Sequence, residues 1–411
     1  MKLAAIALRN LARNRRRTLL SLLVTAAGAS GLVVTAGFIR FSFAGLEQAI
    51  IRGGLGHLEV VPAEIATLSL PERSGLPTLT GWEEMRRMIE ETPGVRAAGG
   101  AIHLAGVVSK GERSSPFLGA AVEPDRERLM HLELKLRGGA DLPAEAPRDG
   151  SDAVLLGLGL ARALDARPGD VVTVLALTPS GNLNAVDMTV AGLFTTGLQE
   201  IDGRMLKLHL AGAQRLLEST SVSSIFVGLA DTGQTEGIRD RLQREFTARR
   251  LSVTVLDWQT RAPFYGQVRA LYSAIFVFLG SIIFVLVCLA ASNTLLMSVM
   301  ERIRELGTLL ALGTSRTQVA LLILCEALWL GIGGGLLGGA IGVAIGAGLK
   351  AARVEMPPPP GAVDPMPLEL WIRPLDVLGI AALMLVVLLV AATVPVLKTV
   401  RLRIVEALAH V

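Results

Sequence analysis

The chain has 411 residues, a formal net charge of +4 and an apolar content of 51%, of which few residues are aromatic. With a mean hydropathy of +0.52, it is more apolar than a soluble enzyme built around one packed core. The small positive charge, without a basic patch interleaved with aromatic residues, argues against nucleic-acid binding.

Four stretches are long and apolar enough to cross a bilayer, whose core of about 30 Å requires roughly 20 helical residues. Within the apolar runs at 18–39, 270–300, 317–349 and 375–397, only Glu326 and Asp376 are charged. The predicted membrane helices are residues 18–45 (apolar over 18–39), 269–300, 317–350 and 374–397. The sequence therefore predicts an α-helical membrane protein with four transmembrane helices.

Basic residues indicate the orientation of these helices, because Lys and Arg are enriched in cytoplasmic flanks. They cluster in residues 1–17, between the second and third stretches, and after the fourth. We therefore expect both termini in the cytoplasm, with residues 1–17 forming an amphipathic elbow helix on the inner membrane surface. A cleaved signal peptide is the alternative for this end, although the first apolar run is long for one. Residues 351–373 would be a short Pro-rich outer loop and 398–411 a cytoplasmic tail.

The region from 46 to 268 alternates β-like runs with amphipathic helical patterns. It predicts a large mixed α/β extracytoplasmic domain inserted between helices 1 and 2, long enough for two subdomains. The predicted strands are residues 56–61, 97–108, 116–122, 171–177, 188–194 and 224–229. The predicted helices are residues 82–91, 158–164, 210–218 and 234–249.

The sequence contains no recognisable motif for catalysis, metal binding or cofactor binding. No run resembles a phosphate-cradling P-loop, and Arg162 stands where a dinucleotide turn needs its third small residue. The histidines are scattered singly, and Cys288 and Cys325 both lie in apolar stretches. We expect a chain that is not itself an enzyme and binds no cofactor or metal. The solitary histidines of the outer region are His57, His103, His131 and His209.

The loop at 301–316 predicts a short amphipathic helix ending at Gly313, a residue that tolerates the left-handed conformation. Pairs spaced i,i+3 bring opposite charges together, leucines supply an apolar ridge, and Gly307 permits close backbone approach. Such a helix could dock in a partner's groove, or its arginines could only anchor the loop at the membrane surface. The candidate docking residues are Glu301, Arg302, Arg304, Glu305, Leu306, Gly307, Leu309, Leu310 and Gly313.

Two features of the third apolar stretch suggest roles in packing and in charge pairing. Glycines at four-residue spacing allow close helix approach, either within one chain or between two chains. The acid Glu326 would pair with Arg302, Arg304 or an elbow arginine, with proton coupling as the alternative. The candidate packing glycines are Gly331, Gly335, Gly338, Gly339 and Gly342.

The run E-R-x-x-E-x-G-x-x-x-A-L-G at 301–313, followed by Glu326 and the glycine-rich stretch, resembles the signature of MacB- and FtsX-like permeases, the type VII ABC proteins. The order of elbow, one span, outer domain and three closing spans is also similar. Residues 155–174, with Gly157, Gly169 and Asp170, are similar to the outer-domain pattern of that family. Residues 190–202 further resemble permeases of the lipoprotein-releasing LolC/LolE type.

The resemblance implies a permease driven by mechanotransmission, in which the 301–313 helix couples to a separate cytoplasmic ATPase dimer that binds ATP and Mg. It also implies a second permease copy or paralogue, contact with membrane lipid and a location in the bacterial inner membrane. A periplasmic carrier or adaptor is a further candidate partner. The expected role is extraction or export of a lipidated cargo, with FtsX-like signalling to an extracytoplasmic enzyme as the alternative. A membrane-anchored enzyme or receptor unrelated to ATP is the third alternative, and no ATPase would accompany it.

Overall fold

The computed structural model describes residues 2–13, 15–68, 72, 79–130, 135–145, 152–196, 199–356 and 366–400. His131, the proline run at 357–360 and the tail from 401 lie outside the described residues. The chain divides into a membrane unit, formed by residues up to Ala44, Val268–Met356 and those from Pro367, and an α/β unit, formed by Gly45–Gln267.

Within the described residues, four helical segments are long and apolar enough to cross a membrane. They are span 1 (Thr18–Leu55), span 2 (Tyr265–Glu301), span 3 (Arg316–Ala352) and span 4 (Pro374–Val400). The underlying helices are α1 (Lys2–Arg13), α2 (Arg15–Ile50) with a π-helical end (Ile51–Leu55), Pro263–Glu301, Ile303–Ala311, Arg316–Ala352, Pro374–Ala391 and Thr393–Val400.

The helices of the first three spans extend beyond the predicted bounds, and the helix of span 1 continues to Ile50 instead of ending at 45. Three further boundaries differ. The elbow helix ends at Arg13, and Arg15 already begins the long helix of span 1, because arginine is a good helix former and extends a helix beyond the bilayer core. Arg302 has non-helical dihedrals, so the loop helix begins at Ile303 instead of Glu301. Span 4 breaks after Ala391 because Pro395 lacks an N–H group and clashes with the carbonyl four residues earlier.

Span 3 begins at a well-defined cap. The Ser315 side chain accepts a hydrogen bond from the Gln318 backbone, and the Gln318 side chain accepts one from the Ser315 backbone. This reciprocal capping box satisfies amide groups that a helix start otherwise leaves unpaired. The loop between the loop helix and span 3 is therefore short and has a defined end.

The α/β unit contains every strand and helix that the sequence predicts, with small shifts of their ends. The strands are β1 (Leu58–Pro62), β2 (Val95–Lys110), β3 (Arg113–Val122), β4 (Lys135–Gly139), β5 (Asp152–Gly157), β6 (Val171–Leu177), β7 (Leu183–Thr195), β8 (Met205–His209), β9 (Ser224–Leu229) and β10 (Val253–Asp257). Its α-helices are Trp82–Glu90, Pro124–Leu129, Leu158–Leu164, Gln199–Asp202, Leu210–Leu217, Thr235–Ala248 and Trp258–Arg261. The strands β4, β5, β8 and β10 were not among those predicted.

One continuous ten-stranded sheet runs through this unit, where the sequence suggested two subdomains. Strand β2, with 16 residues, is long enough to pair with β9 along its first half and with β3 and β6 along its second. The second half closes a ring in the order β2, β3, β8, β5, β7, β6 and back to β2. A side chain at Gly106 would collide with the Leu175 carbonyl, so glycine is needed where β6 closes the ring.

A buried ionic cluster ties the start of this sheet to the short helix Trp258–Arg261. Glu59 is fully buried, and its carboxylate lies 2.7 Å from Nε of Arg261 and 3.4 Å from Nε2 of His103. Arg261 also donates to the Leu55 carbonyl at 3.1 Å. Burial alone would raise the pKa of Glu59, but the charge of Arg261 and the hydrogen bond from His103 outweigh burial and lower it to about 2.

We expect Glu59→Gln to destabilise the full-length protein by about 3–5 kcal/mol near neutral pH, because it leaves the buried Arg261 charge unpaired. The folded pKa of Glu59 lies below its usual 4.5, so the stabilisation is present above that pH and is lost as pH falls toward about 2. The variant should therefore lose less stability than the wild type across this acid range. Denaturant unfolding in detergent at several pH values measures both effects. Glu112→Gln, at an exposed turn, is the matched control, and an equal loss in both variants would contradict the assignment.

Candidate functional site

The loop helix Ile303–Ala311 has one face packed against its own unit. Ile303 is buried, and Leu306 is buried in a cluster with Val299, Val319 and Ile323. Leu310 packs partly against the same cluster, completing an i, i+3, i+7 stripe. Leu306 was expected to be available to a partner, but span 3 covers it because its stripe faces Val319 and Ile323. The adjacent Gly307 is buried too.

The opposite face of the loop helix is open. Arg304, Glu305 and Thr308 are exposed, Leu309 is 38% exposed and Leu312 is 79% exposed. Leu312 was not among the predicted docking residues, although its spacing from Glu305, Thr308 and Leu309 would have placed it on their face. Gly313 has φ of +92°, which agrees with the predicted end of the helix. The free face therefore combines charge with exposed leucines.

A charge network joins this helix to the elbow helix and to span 3. Arg302 donates from Nε to Oε2 of Glu305 at 2.9 Å and from Nη1 to Oε1 of Glu326 at 3.0 Å. Asn10 donates to the same oxygen of Glu326 at 3.0 Å, and Arg13 pairs with the other oxygen of Glu305. Of the candidate partners of Glu326, the structure thus selects Arg302, while Arg304 is exposed. Asn10 was missed, although its i,i+3 spacing from Arg13 places both on one helix face.

The two carboxylates of the network differ in burial. The side chains of Arg302 and Glu326 are 15% and 8% exposed, whereas Glu305 is about half exposed. Hydrogen bonds from Arg302, and to a smaller extent from Arg13, hold the pKa of Glu305 below its usual value. Glu305 therefore stays charged across the physiological range.

A small cavity adjoins the network. It has a volume of about 20 Å³, which is room for a water molecule but not for an organic ligand. Among the described residues, no group of His, Cys, Asp and Glu has the arrangement of a metal site. The cavity is lined by Asn10, Leu11, Thr18, Ser21, Thr294, Leu295, Ser298, Arg302, Glu326 and Leu330.

The glycines of span 3 form two stripes that meet other helices of the same unit. An added Cβ at Gly331 or Gly335 would lie 2.9 Å from a span 4 Cα atom, and Gly339 faces Val377 of the same span. An added Cβ at Gly338 would lie 3.0 Å from Cα of Ala26 in span 1, and Gly342 faces Val33. Of the two alternatives left open by the sequence, these glycines take part in packing within one chain.

A second ion pair fastens span 4 to span 1 at the end of the membrane unit away from the loop helix. Arg40 donates two hydrogen bonds to Asp376, at 2.5 and 2.8 Å. Beside it, the ring of Trp371 meets that of Phe41 edge-on, and the Trp371 amide donates to the Gly37 carbonyl. Both charged residues that interrupt the apolar stretches, Glu326 and Asp376, are thus paired.

Four apolar helices, an amphipathic loop helix with one open face and a large α/β unit are the architecture of a multi-span membrane protein with a globular domain. The profile of the FtsX-like permease C-terminal domain matches residues 275–404, and that of the MacB-like periplasmic core domain matches residues 18–245. The chain belongs to the MacB/FtsX-like family of ABC transporter permeases.

Similar proteins include two transmembrane proteins of lipoprotein-releasing systems. LolC of Neisseria meningitidis serogroup B is 28% identical over 347 residues, or 81% of this chain and 79% of that protein. LolE of Haemophilus influenzae is 22% identical over 299 residues, or 68% and 67%. Among solved structures, the periplasmic region of MacB from Actinobacillus actinomycetemcomitans aligns with a TM-score of 0.36 and 14% identity, over 51% of this chain and 92% of that one.

We expect Gly338→Ala and Gly348→Ala to shift stability in opposite directions. The new methyl at Gly338 would overlap Ala26 and Ala29, and such overpacking costs about 1–3 kcal/mol. At Gly348, on the same helix, an added Cβ meets nothing within 4 Å, so the substitution should stabilise the helix by up to about 1 kcal/mol. Thermal unfolding of both variants in detergent makes the comparison. Equal stability of the two would show that spans 1 and 3 are not packed at Gly338.

Proposed function

We propose that this chain is the permease subunit of a lipoprotein-releasing type of ABC transporter in the bacterial inner membrane. The main support for this proposal is the similarity of the chain to LolC over most of both chains. The four spans cross the membrane with both termini in the cytoplasm, and the α/β unit, inserted between spans 1 and 2, lies in the periplasm. The basic residues beside the first, second and fourth apolar stretches support this orientation.

In this proposal the loop helix is the coupling helix that docks on a separate ATPase dimer, which binds ATP and Mg and performs the hydrolysis. Arg304 and Glu305 orient the contact by charge, and the exposed side chains of Leu309 and Leu312 fill the partner's groove. Closure of the ATPase dimer moves this helix, and the long helices of spans 1 and 2 convey the motion to the periplasmic unit. The chain itself catalyses no reaction.

The proposed cargo is a lipidated protein taken from the periplasmic face of the membrane, with a second permease copy or paralogue and a periplasmic carrier or adaptor as further partners. A signalling permease, which activates a periplasmic enzyme without transport, is the second candidate, favoured by the match to the FtsX-like C-terminal domain. ATP-dependent release of a synthetic triacylated lipopeptide from proteoliposomes separates the two. Release supports the transport role, and ATP turnover without release supports signalling.

The orientation is tested with single cysteines placed in a protein from which Cys288 and Cys325 have been removed. A cysteine replacing Asp231, in the α/β unit, should react with an impermeant thiol reagent added outside spheroplasts. A cysteine replacing Thr314, in the loop before span 3, should react only after the membrane is permeabilised. Asp231 is exposed and Thr314 partly exposed, so both sites can react. Reversed labelling would contradict the proposed topology.

The docking role is tested by replacing Leu309 and Leu312 together with Asp. Loss of one buried apolar anchor typically costs about 2 kcal/mol or more, so ATPase affinity should fall at least about thirtyfold. Folding should be kept because both side chains are exposed. A pull-down of the partner ATPase measures the change, with Arg316→Asp as a control outside the loop helix. Unchanged binding would place the ATPase contact elsewhere, with the elbow helix as the next site to test.

A further inference from the structure

The elbow helix, the loop helix and span 3 are joined by one connected set of polar contacts. Asn10 and Arg13 come from the elbow helix, Arg302 and Glu305 from the loop helix and its entry, and Glu326 from span 3. The elbow is also fixed to span 1, because Thr18 donates to the Leu11 carbonyl at 2.8 Å. A displacement of the loop helix therefore has a path to spans 1 and 3.

Arg302 occupies the point where the chain would otherwise be free to bend. The helix of span 2 ends at Glu301, and Arg302 has φ of −107° and ψ of 16° before the loop helix begins at Ile303. Its side chain crosses this break to Glu305 on one side and reaches Glu326 of span 3 on the other. The backbone of Arg302 thus forms the break between the two helices, and its side chain restricts bending at that break.

The contacts differ in strength, and the buried one dominates. Arg302 and Glu326 are largely removed from water, so removing one charge leaves the other uncompensated. The contact of Arg13 with Glu305 is exposed and contributes little by itself. The planar guanidinium of Arg302 reaches both carboxylates with a fixed geometry that a lysine ammonium does not reproduce.

A ligand site or a proton path explains this arrangement less well. The adjoining cavity holds no more than about a water molecule, and Oε1 of Glu326 already accepts two hydrogen bonds. The contacts instead connect separate elements, because each carboxylate accepts hydrogen bonds from donors on two different elements.

We propose that Arg302 and Glu326 are positioning residues that lock the elbow helix, loop helix and span 3 into one rigid block at the inner membrane face. The block passes movement of the loop helix to spans 1 and 3 instead of losing it by bending at Arg302. This inference rests on the proposed coupling function. It makes Arg302 a mechanical part that is distinct from the exposed docking face.

The rigidity itself is measured first, on the full-length protein in nanodiscs. Spin labels on cysteines replacing the exposed Arg9 and Thr308 report the distance between elbow and loop helix, with Cys288 and Cys325 removed. The wild type should give one narrow distance distribution, and Glu326→Gln and Arg302→Lys should broaden it. Arg316→Gln, an exposed arginine beside the loop, should leave it narrow. A narrow distribution in Glu326→Gln would overturn the proposal.

Coupling is measured second, with the ATPase present. Glu326→Gln should keep ATPase affinity but lower lipopeptide release per ATP by about tenfold, within the usual range of coupling energies. Because Glu305 also belongs to the proposed docking face, release is compared at saturating ATPase between the reduced and the bridged form of one protein that carries Arg13→Cys, Glu305→Cys and Glu326→Gln. A long reducible bis-methanethiosulfonate bridge should raise its release per ATP, and reduction should lower it again. A merely structural role of Glu326 would not give reversible rescue, so absence of rescue overturns the proposal.

These outcomes separate the two proposals. If the Leu309 and Leu312 double variant binds the ATPase normally, the docking function fails and the inference fails with it. If that variant loses binding while Glu326→Gln stays rigid and coupled, only the inference fails. Should Glu326→Gln not assemble, Arg302→Lys decides: it keeps the positive charge but must broaden the distance distribution, and a narrow one overturns the proposal.

Discussion

Close packing of span 3 against spans 1 and 4 is the constraint on which the membrane unit depends. Lipid chains are as apolar as leucine, so helices in a bilayer gain little from hiding apolar surface and associate through close van der Waals contact. Span 3 achieves this with two glycine stripes, one facing Ala26 and Val33 and the other facing Val377 and Ala381. Because both neighbours are held by backbone proximity, span 3 forms the fixed centre of the unit.

The polar contacts of the membrane unit are arranged around this centre. Glu326 lies on span 3, where it is reached by Arg302 and Asn10, while Asp376 begins span 4 and is held by Arg40 of span 1. A charge in an apolar setting is costly unless it is paired, so each pair favours one register of its helices over displaced ones. The glycines thus set how near the helices come, and the ion pairs restrict how they slide.

The loop helix, with the residue Leu312 that follows it, combines two environments. Its buried stripe, with Leu306 at the centre, attaches it to Val319 and Ile323 of span 3, while Leu309 and Leu312 remain accessible. Because the loop helix is attached to span 3 on one face and accessible on the other, a force applied to the accessible face is transmitted to span 3. In the α/β unit, the buried ion pair of Glu59 and Arg261 links the residues that follow span 1 to those that precede span 2.

The sequence by itself determined the four spans, the α/β character of the middle region and the position of the loop helix. These follow from local patterns: apolar length for the spans, and alternation for a strand such as Val171–Leu177, whose ends agree with the prediction. The strand Lys135–Gly139 was missed because it pairs only with β7, at the edge of the sheet, and shows no alternating apolar pattern.

The tertiary structure alone decided which side chains meet. It closed the β2 to β6 ring, buried Leu306 while exposing Leu312, and assigned the glycine stripes to contacts within one chain. It also paired Asn10 with Glu326, which are 316 positions apart. Hydropathy and periodicity are properties of neighbouring residues, whereas these contacts depend on how distant segments pack, and that information is not contained in any local stretch of the chain.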